Sequence, residues 1–393
     1  MSISIELFYH YPWLPSLKDV YSDFASKPPL EFISEVFEGD HCEIIYERLY
    51  NLFIAAFQNL EEITAYEIDR LNIYLYLILK ILLYILDDKI INNRIANLYS
   101  KINYREFIKE IDNENYSNIY NICEDLNLDI KYSKKPWEFG RKVFKDQQET
   151  LATKFKIHYI DYLKLAVKLR DDYRKLVNNS LSNGYIFVKE KQLARLLQEY
   201  VRERVLIEQE ANRSALEAFK KTLLEIKRFK DLYEDILNEW AIREEKFVQI
   251  IDIDFRKIKD IFNSYPPCIK EILIKAQEGQ NLNHNERLFL VWFLLALNYP
   301  EDKIVNIFST LPDFDRKKTE YQVLYAKKKG YTPYKCSTLK SLNLCIAEKF
   351  KDELCLEGYG SSDPNQRKKL AHPLAYVRIK EYRASKNKNN SYN

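Results

Sequence analysis

Apolar side chains recur every three or four positions through most of the first 130 residues. The pattern is clear in residues 43–57 (EIIYERLYNLFIAAF) and 70–86 (RLNIYLYLILKILLYIL), and it is typical of helices that bury one face. Consecutive helices are therefore predicted from residue 15 to about residue 130. The most apolar run, Ile73–Leu86, contains Lys80 and is too short to cross a bilayer of roughly 30 Å, so it predicts a buried core helix.

Strand signals are sparse. Gly184 is followed by the aromatic and β-branched run Tyr185–Val188, and Phe155–Tyr159 is a second candidate. These two segments predict a small β insertion in a helical N-terminal half. The scarcity of turn residues, 7 Gly and 12 Pro in 393 residues, also favours long helices.

A domain boundary is predicted near residue 212. Between Tyr185 and Tyr265 the chain has neither Gly nor Pro and is highly charged. Within this segment Ser214 and Glu217 have the spacing of a capping box, which marks the start of a helix. We therefore predict a mainly α protein with a helical domain over residues 1–212 and a second, mostly helical domain over residues 213–393, whose tail at 386–393 is partly disordered.

The charge distribution separates the two halves. Residues 1–150 hold 16 Lys and Arg against 25 Asp and Glu, whereas the remainder holds 45 against 33. A basic C-terminal half suits a nucleic-acid partner, although a solvated lysine-rich surface has the same composition. The chain begins without a recognisable secretory signal, which predicts a cytoplasmic protein with no membrane partner and reduced cysteines.

Four of the six cysteines lie in the C-terminal half. Cys336, Cys345 and Cys355 follow the spacing C-x8-C-x9-C, and Cys268 stands upstream after two prolines. Four thiolates satisfy either a tetrahedral zinc ion or a [4Fe–4S] cluster, and the lack of a short C-x2–4-C knuckle favours the cluster. Four unrelated buried cysteines remain the alternative. Cys42 and Cys123, on apolar helix faces, are predicted to be ordinary buried residues.

Two groups in the basic half suit phosphate and base contacts. His284 and Arg287 lie one helical turn apart, and Asn283 with Glu286 has the spacing of a capping box, which places the pair at a helix N-terminus. Tyr321 and Tyr325 share a helix face, and Lys327–Lys329 follow them. Aromatic rings beside lysines suit unpaired bases on a phosphate strand, although core packing is the ordinary role of tyrosine.

Two D-x-D pairs invite comparison with a two-metal polymerase site. Asp252 and Asp254 would share one face if their segment were a strand, but helical flanks are equally compatible, and no third carboxylate motif accompanies them. Asp313 and Asp315 follow Pro312 and suit a turn. The sequence also has no phosphate-binding loop, nucleophile elbow or H-E-x-x-H site, so no catalytic site is predicted.

Several motifs in order resemble one known family. They are PPCIKEIL (266–273), NLNHNERLFLVWFL (281–294), LPDFDRKKTEYQVLYA (311–326), YTPYKCSTLKSLNLC (331–345) and AHPLAYVR (371–378), preceded by FYHYPWLPSLKD (8–19), LYILDDKIINNRIANLYSK (83–101) and segments of 160–199. Together they resemble the large subunit of archaeal and eukaryotic DNA primases, in its short archaeal form. The resemblance is weakest over residues 102–150 and 200–260.

The resemblance implies a non-catalytic subunit. It assigns a [4Fe–4S] cluster to Cys268, Cys336, Cys345 and Cys355. It also implies that His284 and Arg287 hold the triphosphate of the initiating nucleotide and the template backbone.

Further implications concern the nucleic acid and the partner. Tyr321 and Tyr325 match an aromatic pair that faces nucleic acid, and Asn283 stands where the family can have Arg. The N-terminal domain would dock the catalytic small subunit, so that the heterodimer makes RNA primers on single-stranded DNA.

Two other functions remain open at this point. One is a self-sufficient iron–sulfur DNA-repair enzyme, and the other is a zinc-stabilised nucleic-acid-binding scaffold. Tyr116, Ile119, Tyr120 and Leu126 form a candidate stripe for docking the small subunit, although core packing is the simpler interpretation of these residues.

Overall fold

The computed structural model of the protein describes residues 4–20, 27–58, 60, 67–144, 147–169, 172–207, 212–252, 264–361, 363 and 366–390. The chain divides into two compact units, Met1–Trp240 and Ala241–Asn393. The protein is mainly helical, as the periodicity predicts.

The first unit is an assembly of helices with one small sheet. Its helices are Ile5–His10, Leu17–Val20, Pro29–Glu38, Cys42–Phe57, Leu71–Leu86, Lys89–Asp112, Tyr116–Asp125, Tyr159–Ala166, Glu190–Val205, Arg213–Leu223 and the first part of Lys227–Asp252. Short 3₁₀ turns occupy Val167–Leu169, Asp172–Arg174 and Leu176–Asn178.

The most apolar helix, Leu71–Leu86, lies in the core. Ile78 and Leu82 are fully buried, and the helix packs against Cys42–Phe57 and Arg213–Leu223. The prediction of a core helix is confirmed. Among the helices that the structure describes, none has the length and apolar content that a membrane crossing requires.

Within the described residues, the sheet contains four antiparallel strands in the order β1-β2-β4-β3. Its strands are β1 (Ile130–Phe144), β2 (Gln147–His158), β3 (Leu181–Ser182) and β4 (Tyr185–Val188). The two predicted strands are confirmed as the end of β2 and as β4, and Gly184 has the positive φ that its turn requires. The long strand β1 was not predicted, because its lysines and Pro136 depress strand propensity.

A buried polar network joins the helices Glu190–Val205 and Lys89–Asp112. The guanidinium of Arg202 donates to Asn97 at 2.7 Å, to Asn93 at 3.0 Å and to Glu199 at 3.2 Å. All four side chains are buried. Because a buried charge is costly unless it is paired and hydrogen-bonded, these contacts fix the packing of the two helices.

The first unit extends beyond residue 212, to Trp240. Phe229 and Ile236 are fully buried in its core, and the ring of Trp240 lies 4.9 Å from that of Phe57. The predicted boundary therefore falls within the first unit, and the division of roles between residues 1–212 and 213–393 stays a prediction. A helix does start there, but its cap is Asn212, which accepts from the Ala215 amide at 3.2 Å, rather than the predicted Ser214.

The second unit is built from shorter helices. They are Pro267–Gln277, His284–Ala296, Glu301–Phe308, Arg316–Lys329, Cys336–Ser341, Glu353–Leu356 and Pro373–Asn390. Phe289, Phe293, Ile304 and Val323 form the centre of their common core. The last helix is described as far as Asn390, and residues 391–393 lie outside the described part of the chain, so the expected partial disorder of residues 386–393 stays a prediction.

Candidate metal centre and nucleic-acid interface

The four C-terminal cysteines line one cavity of the second unit. Cys268 is the second residue of the helix Pro267–Gln277, and Cys336 is the first residue of the helix Cys336–Ser341. Cys345 lies in the loop that follows, and Cys355 lies in the short helix Glu353–Leu356. Apolar side chains, including Leu339, Ile346 and Pro373, complete the wall. Four separate segments of the chain thus bring four thiols to one partly enclosed space.

These thiols affect one another electrostatically. Burial raises the pKa of Cys268 to about 12, and the neighbouring Cys336 and Cys345 contribute to the increase. Burial also raises the pKa of Cys336 and of Cys355. Because metal ligation requires thiolates, a bound cationic centre would have to offset this cost.

A hydrogen-bonded carboxylate lies beside Cys355. Asp352 accepts from the backbone amide of Cys355 at 2.9 Å and from the hydroxyl of the buried Tyr376 at 2.7 Å. His372 also lines the cavity, and its Nε2 lies 3.1 Å from the carbonyl oxygen of Pro333. The hydrogen bond from Tyr376 to Asp352 thus connects the C-terminal helix with the segment that carries Cys355.

In the part of the chain that the structure describes, no three His, Cys, Asp or Glu side chains converge on one position for a single metal ion. Cys42 and Cys123 are buried in the first unit, as predicted.

The helix His284–Ala296 starts at the predicted capping box. The side chain of Asn283 accepts from the Glu286 amide at 2.9 Å, and the carboxylate of Glu286 accepts from the Asn283 amide at 2.8 Å. Asn283 therefore has a structural role, and its predicted contact with nucleotide stays a prediction. His284, the first residue of the helix, is exposed.

Arg287 is held by three acceptors. It donates from Nε to the carbonyl oxygen of Leu282 at 2.8 Å, and from Nη2 to Asn281 at 2.8 Å and to Asp313 at 2.7 and 2.9 Å. Nη1 makes no hydrogen bond to any residue within the described ranges. The guanidinium is thus fixed in place while one of its nitrogens remains available to a phosphate.

A buried ion pair connects this helix with the helix that carries Cys268. Lys275 of the helix Pro267–Gln277 donates to Glu286 at 2.8 Å, and Glu286 is almost fully buried. The same carboxylate closes the capping box at Asn283. The helix that begins at the cysteine cavity therefore supports the N-terminus that presents His284 and Arg287.

The predicted tyrosine pair lies on the surface. Tyr321 and Tyr325 are 68% and 42% exposed, and their rings stack at 6.1 Å. Val323 and Ala326 form the buried side of the same helix, so core packing does not explain the two tyrosines. Lys329 lies over the ring of Tyr325, whereas Lys327 pairs with Glu301.

Two further aromatic residues continue this pair. Tyr331 lies 6.3 Å from Tyr325, and Trp292 lies 5.0 Å from Tyr331, measured between ring centroids. Neither residue was identified from the sequence as part of this surface. Trp292 lies in an apolar helix, where a tryptophan is normally expected in the core. Tyr331 comes close to Trp292 only because the chain turns at Gly330.

Asp315 and the candidate docking stripe have structural explanations. Asp315 caps the helix Arg316–Lys329 by accepting from the Lys318 amide at 3.0 Å, in agreement with the predicted turn. Asp252 is the last described residue of the helix Lys227–Asp252, and Asp254 lies outside the described residues, so the role of this pair is not tested. In the candidate docking stripe, Ile119 and Leu126 are buried, and Tyr116 and Tyr120 pack against Tyr132, which confirms core packing.

The chain is similar in sequence to one family of known proteins. Residues 259–388 match a family model that describes the C-terminal domain of the eukaryotic and archaeal DNA primase large subunit. The DNA primase large subunit PriL of Methanosarcina barkeri is 32% identical over 256 residues, which cover 64% of this chain and 55% of that protein.

Two other relatives carry the same name. The PriL of Methanococcoides burtonii is 29% identical over 259 residues, which cover 64% of this chain and 61% of its own length. The PriL of Thermoplasma volcanium is 25% identical over 305 residues, which cover 75% of this chain and 79% of its own length. The chain thus matches less than two thirds of the first two relatives and more of the third.

Proposed function

This chain belongs to the DNA primase large-subunit family, and on that premise we propose that it is the non-catalytic subunit of a primase. In this proposal it binds single-stranded template and the initiating nucleotide, and a separate small subunit performs nucleotidyl transfer. The observation that carries the proposal is the gathering of four cysteines around one cavity. One of them, Cys268, lies on the helix whose Lys275 pairs with Glu286, at the N-terminus that bears Arg287.

The proposed cofactor is a [4Fe–4S] cluster held by Cys268, Cys336, Cys345 and Cys355. The donor set supports it, because a cube presents four separate irons, one to each thiolate, and therefore does not need ligands that converge on one atom. The apolar wall of the cavity would shield such a cluster from water. When bound, the cluster would brace the four segments that carry the cysteines.

The proposed nucleotide site is the N-terminus of the helix His284–Ala296. Free backbone amides and the helix dipole favour an anion there, and the guanidinium of Arg287 adds a charge-assisted donor. The exposed His284 would contact the same triphosphate. The hydrogen bonds to Asp313 and Asn281 already orient the guanidinium of Arg287 for this contact.

The proposed template contact is the pair Tyr321 and Tyr325. Stacked, exposed rings beside Lys329 suit successive unpaired bases. Bringing template and first nucleotide together turns an improbable encounter into a local one, which is catalysis by positioning. The N-terminal unit would dock the catalytic small subunit.

A reconstitution experiment tests this division of labour. Primer synthesis from nucleotides on single-stranded DNA is measured with the small subunit alone, this chain alone, and both together. We expect initiation only from the pair, with binding of template by this chain alone. Synthesis or base excision by the isolated chain would contradict the proposal and support a self-sufficient enzyme.

A further inference from the structure

The hairpin of β1 and β2 differs in charge from the part of the N-terminal unit that precedes it in the sequence. Residues 1–129 hold 10 Lys and Arg against 22 Asp and Glu, whereas residues 130–158 hold eight against three. The hairpin is thus a basic insertion at the end of an acidic helical region. Neither the cysteine cavity nor the tyrosine pair of the second unit includes it.

The two faces of the sheet have different chemistry. Tyr132, Phe155 and Val188 form one cross-strand row, and Phe155 and Val188 are buried against the helices. The adjacent row is Lys131, Lys156 and Phe187, which alternation places on the opposite face.

Aromatic rings lie between the lysines on this opposite face. Lys156 Nζ lies 4.3 Å from the ring centroid of Trp137 and 4.4 Å from that of Phe187, and Lys131 Nζ lies 3.9 Å from that of Tyr185. We name this surface the lysine–aromatic face, and it consists of Lys131, Trp137, Phe139, Lys156, Tyr185 and Phe187.

The aromatic rings on this face are partly accessible to solvent. Phe139 stacks on Phe187 at 5.1 Å, and all four aromatic residues are only partly buried. Two irregularities of register in β1, between Tyr132 and Trp137 and between Glu138 and Gly140, flank the two aromatic residues of that strand. Among the described strands, β4 pairs with β2 only over Phe155–His158, so the rest of the ribbon has no third strand beside it there.

We propose that the lysine–aromatic face binds single-stranded nucleic acid, as a contact for template or primer separate from the C-terminal unit. The inference rests on the proposed function and adds a second binding surface to it. Lysines alone would suit any acidic partner. Four aromatic rings interleaved with them favour a strand that offers unpaired bases as well as phosphates, because every base can stack on a ring.

The first test measures affinity and its salt dependence on the full chain. A fluorescein-labelled oligothymidylate is titrated with wild type and with Lys131→Gln/Lys156→Gln. Each phosphate contact on a single strand contributes about 0.7 to the slope of log K against log salt, so the double variant should lower the slope by about 1.4. The matched control is Lys220→Gln/Lys221→Gln, in which Lys220 also lies over a tyrosine ring, Tyr233, at 5.0 Å.

The second test locates the strand. A bromodeoxyuridine oligonucleotide is photo-crosslinked to the full chain, and the adducts are mapped by mass spectrometry. We expect adducts at Trp137, Phe139 or Phe187, and Trp137→Ala should weaken binding by about fivefold or more through the loss of one stacking contact.

Two results would overturn the inference. One is an unchanged affinity and salt slope in the lysine variant, with adducts confined to residues 264–390. The other is loss of binding to an acidic protein, such as the small subunit, with no change for the oligonucleotide. Either result leaves the proposed function standing as long as the variants at Tyr321 and Tyr325 still lose affinity.

Discussion

The guanidinium of Arg287 donates to both carboxylate oxygens of Asp313, at 2.7 and 2.9 Å. Asp313 lies 26 positions further along the chain, in the turn before the tyrosine-bearing helix. One ion pair thus connects the residue proposed to grip the nucleotide with the segment that presents Tyr321 and Tyr325. Because Asp313 engages only Nη2, it orients the guanidinium and leaves Nη1 for a phosphate.

We predict that Arg287→Ala impairs primer initiation more than extension of an existing primer. A hydrogen bond to a charged group contributes about 1.5–3 kcal/mol, so initiation should fall by about ten- to a hundredfold. Steady-state rates with the small subunit, on bare template and on a preformed primer, provide the measurement. Arg316→Ala is a matched control, since Arg316 is exposed and pairs with Glu320 one turn away. Equal loss in both assays would exclude an initiation-specific role.

We predict that Tyr321→Ala and Tyr325→Ala each weaken binding of single-stranded DNA by about fivefold or more, because each removes a stacking platform. Phenylalanine at either position should retain most of the affinity. Both side chains are exposed, so the thermal stability of the chain should change little. Tyr382→Ala, at a tyrosine that is 61% exposed in the last helix, is the control for fluorescence titration. Unchanged affinity in both variants would remove the tyrosine pair from the interface.

We predict that Lys275→Met destabilises the second unit by about 3 kcal/mol, because it leaves the buried carboxylate of Glu286 without its cation. Denaturant unfolding of the full chain measures the change. The control is Lys349→Met. It removes a more exposed ion pair with Glu271, which lies on the same helix as Lys275, and it should lower the free energy of unfolding by less than about 1 kcal/mol. Comparable effects of the two substitutions would show that the Lys275–Glu286 pair contributes no more to stability than an exposed ion pair.

The C-terminal site was more predictable from sequence than the contacts that support it. Local spacing is enough to identify the capping box at Asn283 and the shared face of Tyr321 and Tyr325, because one helical turn fixes both. The pairs Arg287–Asp313 and Lys275–Glu286 join different segments of the fold, so periodicity along one element contains no information about them.

The N-terminal unit shows the same limit. Helical periodicity predicted its helices, but β1 is rich in lysine and contains Pro136, and it is held as a strand by pairing with β2 rather than by its own propensity. The unit also extends to Trp240, because Phe229 and Ile236 pack into a core formed by residues far away in sequence. Charge and the capping signal near residue 212 give no information about that packing.

We predict a pH-dependent stability contribution from Lys80. Burial lowers its pKa to about 8, with a further contribution from Arg204, while its ammonium donates to the carbonyl oxygens of Arg204 and Val205 at the end of a helix. An exposed lysine titrates near 10.4, so between about pH 8 and 10 the unfolded chain binds more protons than the folded one. The contribution of Lys80 to the free energy of unfolding therefore rises with pH across this window.

Denaturant unfolding of wild type and Lys80→Met at several pH values checks this sign. The difference in free energy of unfolding, wild type minus variant, should increase from pH 8 to pH 10. The same difference for Lys189→Met, at an exposed lysine, provides the baseline. A difference for Lys80→Met that falls with pH would contradict the assignment.

The most direct test of the central claim is the metal content of the anaerobically purified chain, measured together with its visible absorption spectrum. The comparison variant is Cys336→Ser/Cys345→Ser. The proposal predicts about four irons per chain and a broad visible charge-transfer band, both lost in the variant. Stoichiometric zinc, or iron that persists in the variant, would contradict a [4Fe–4S] cluster held by these four cysteines.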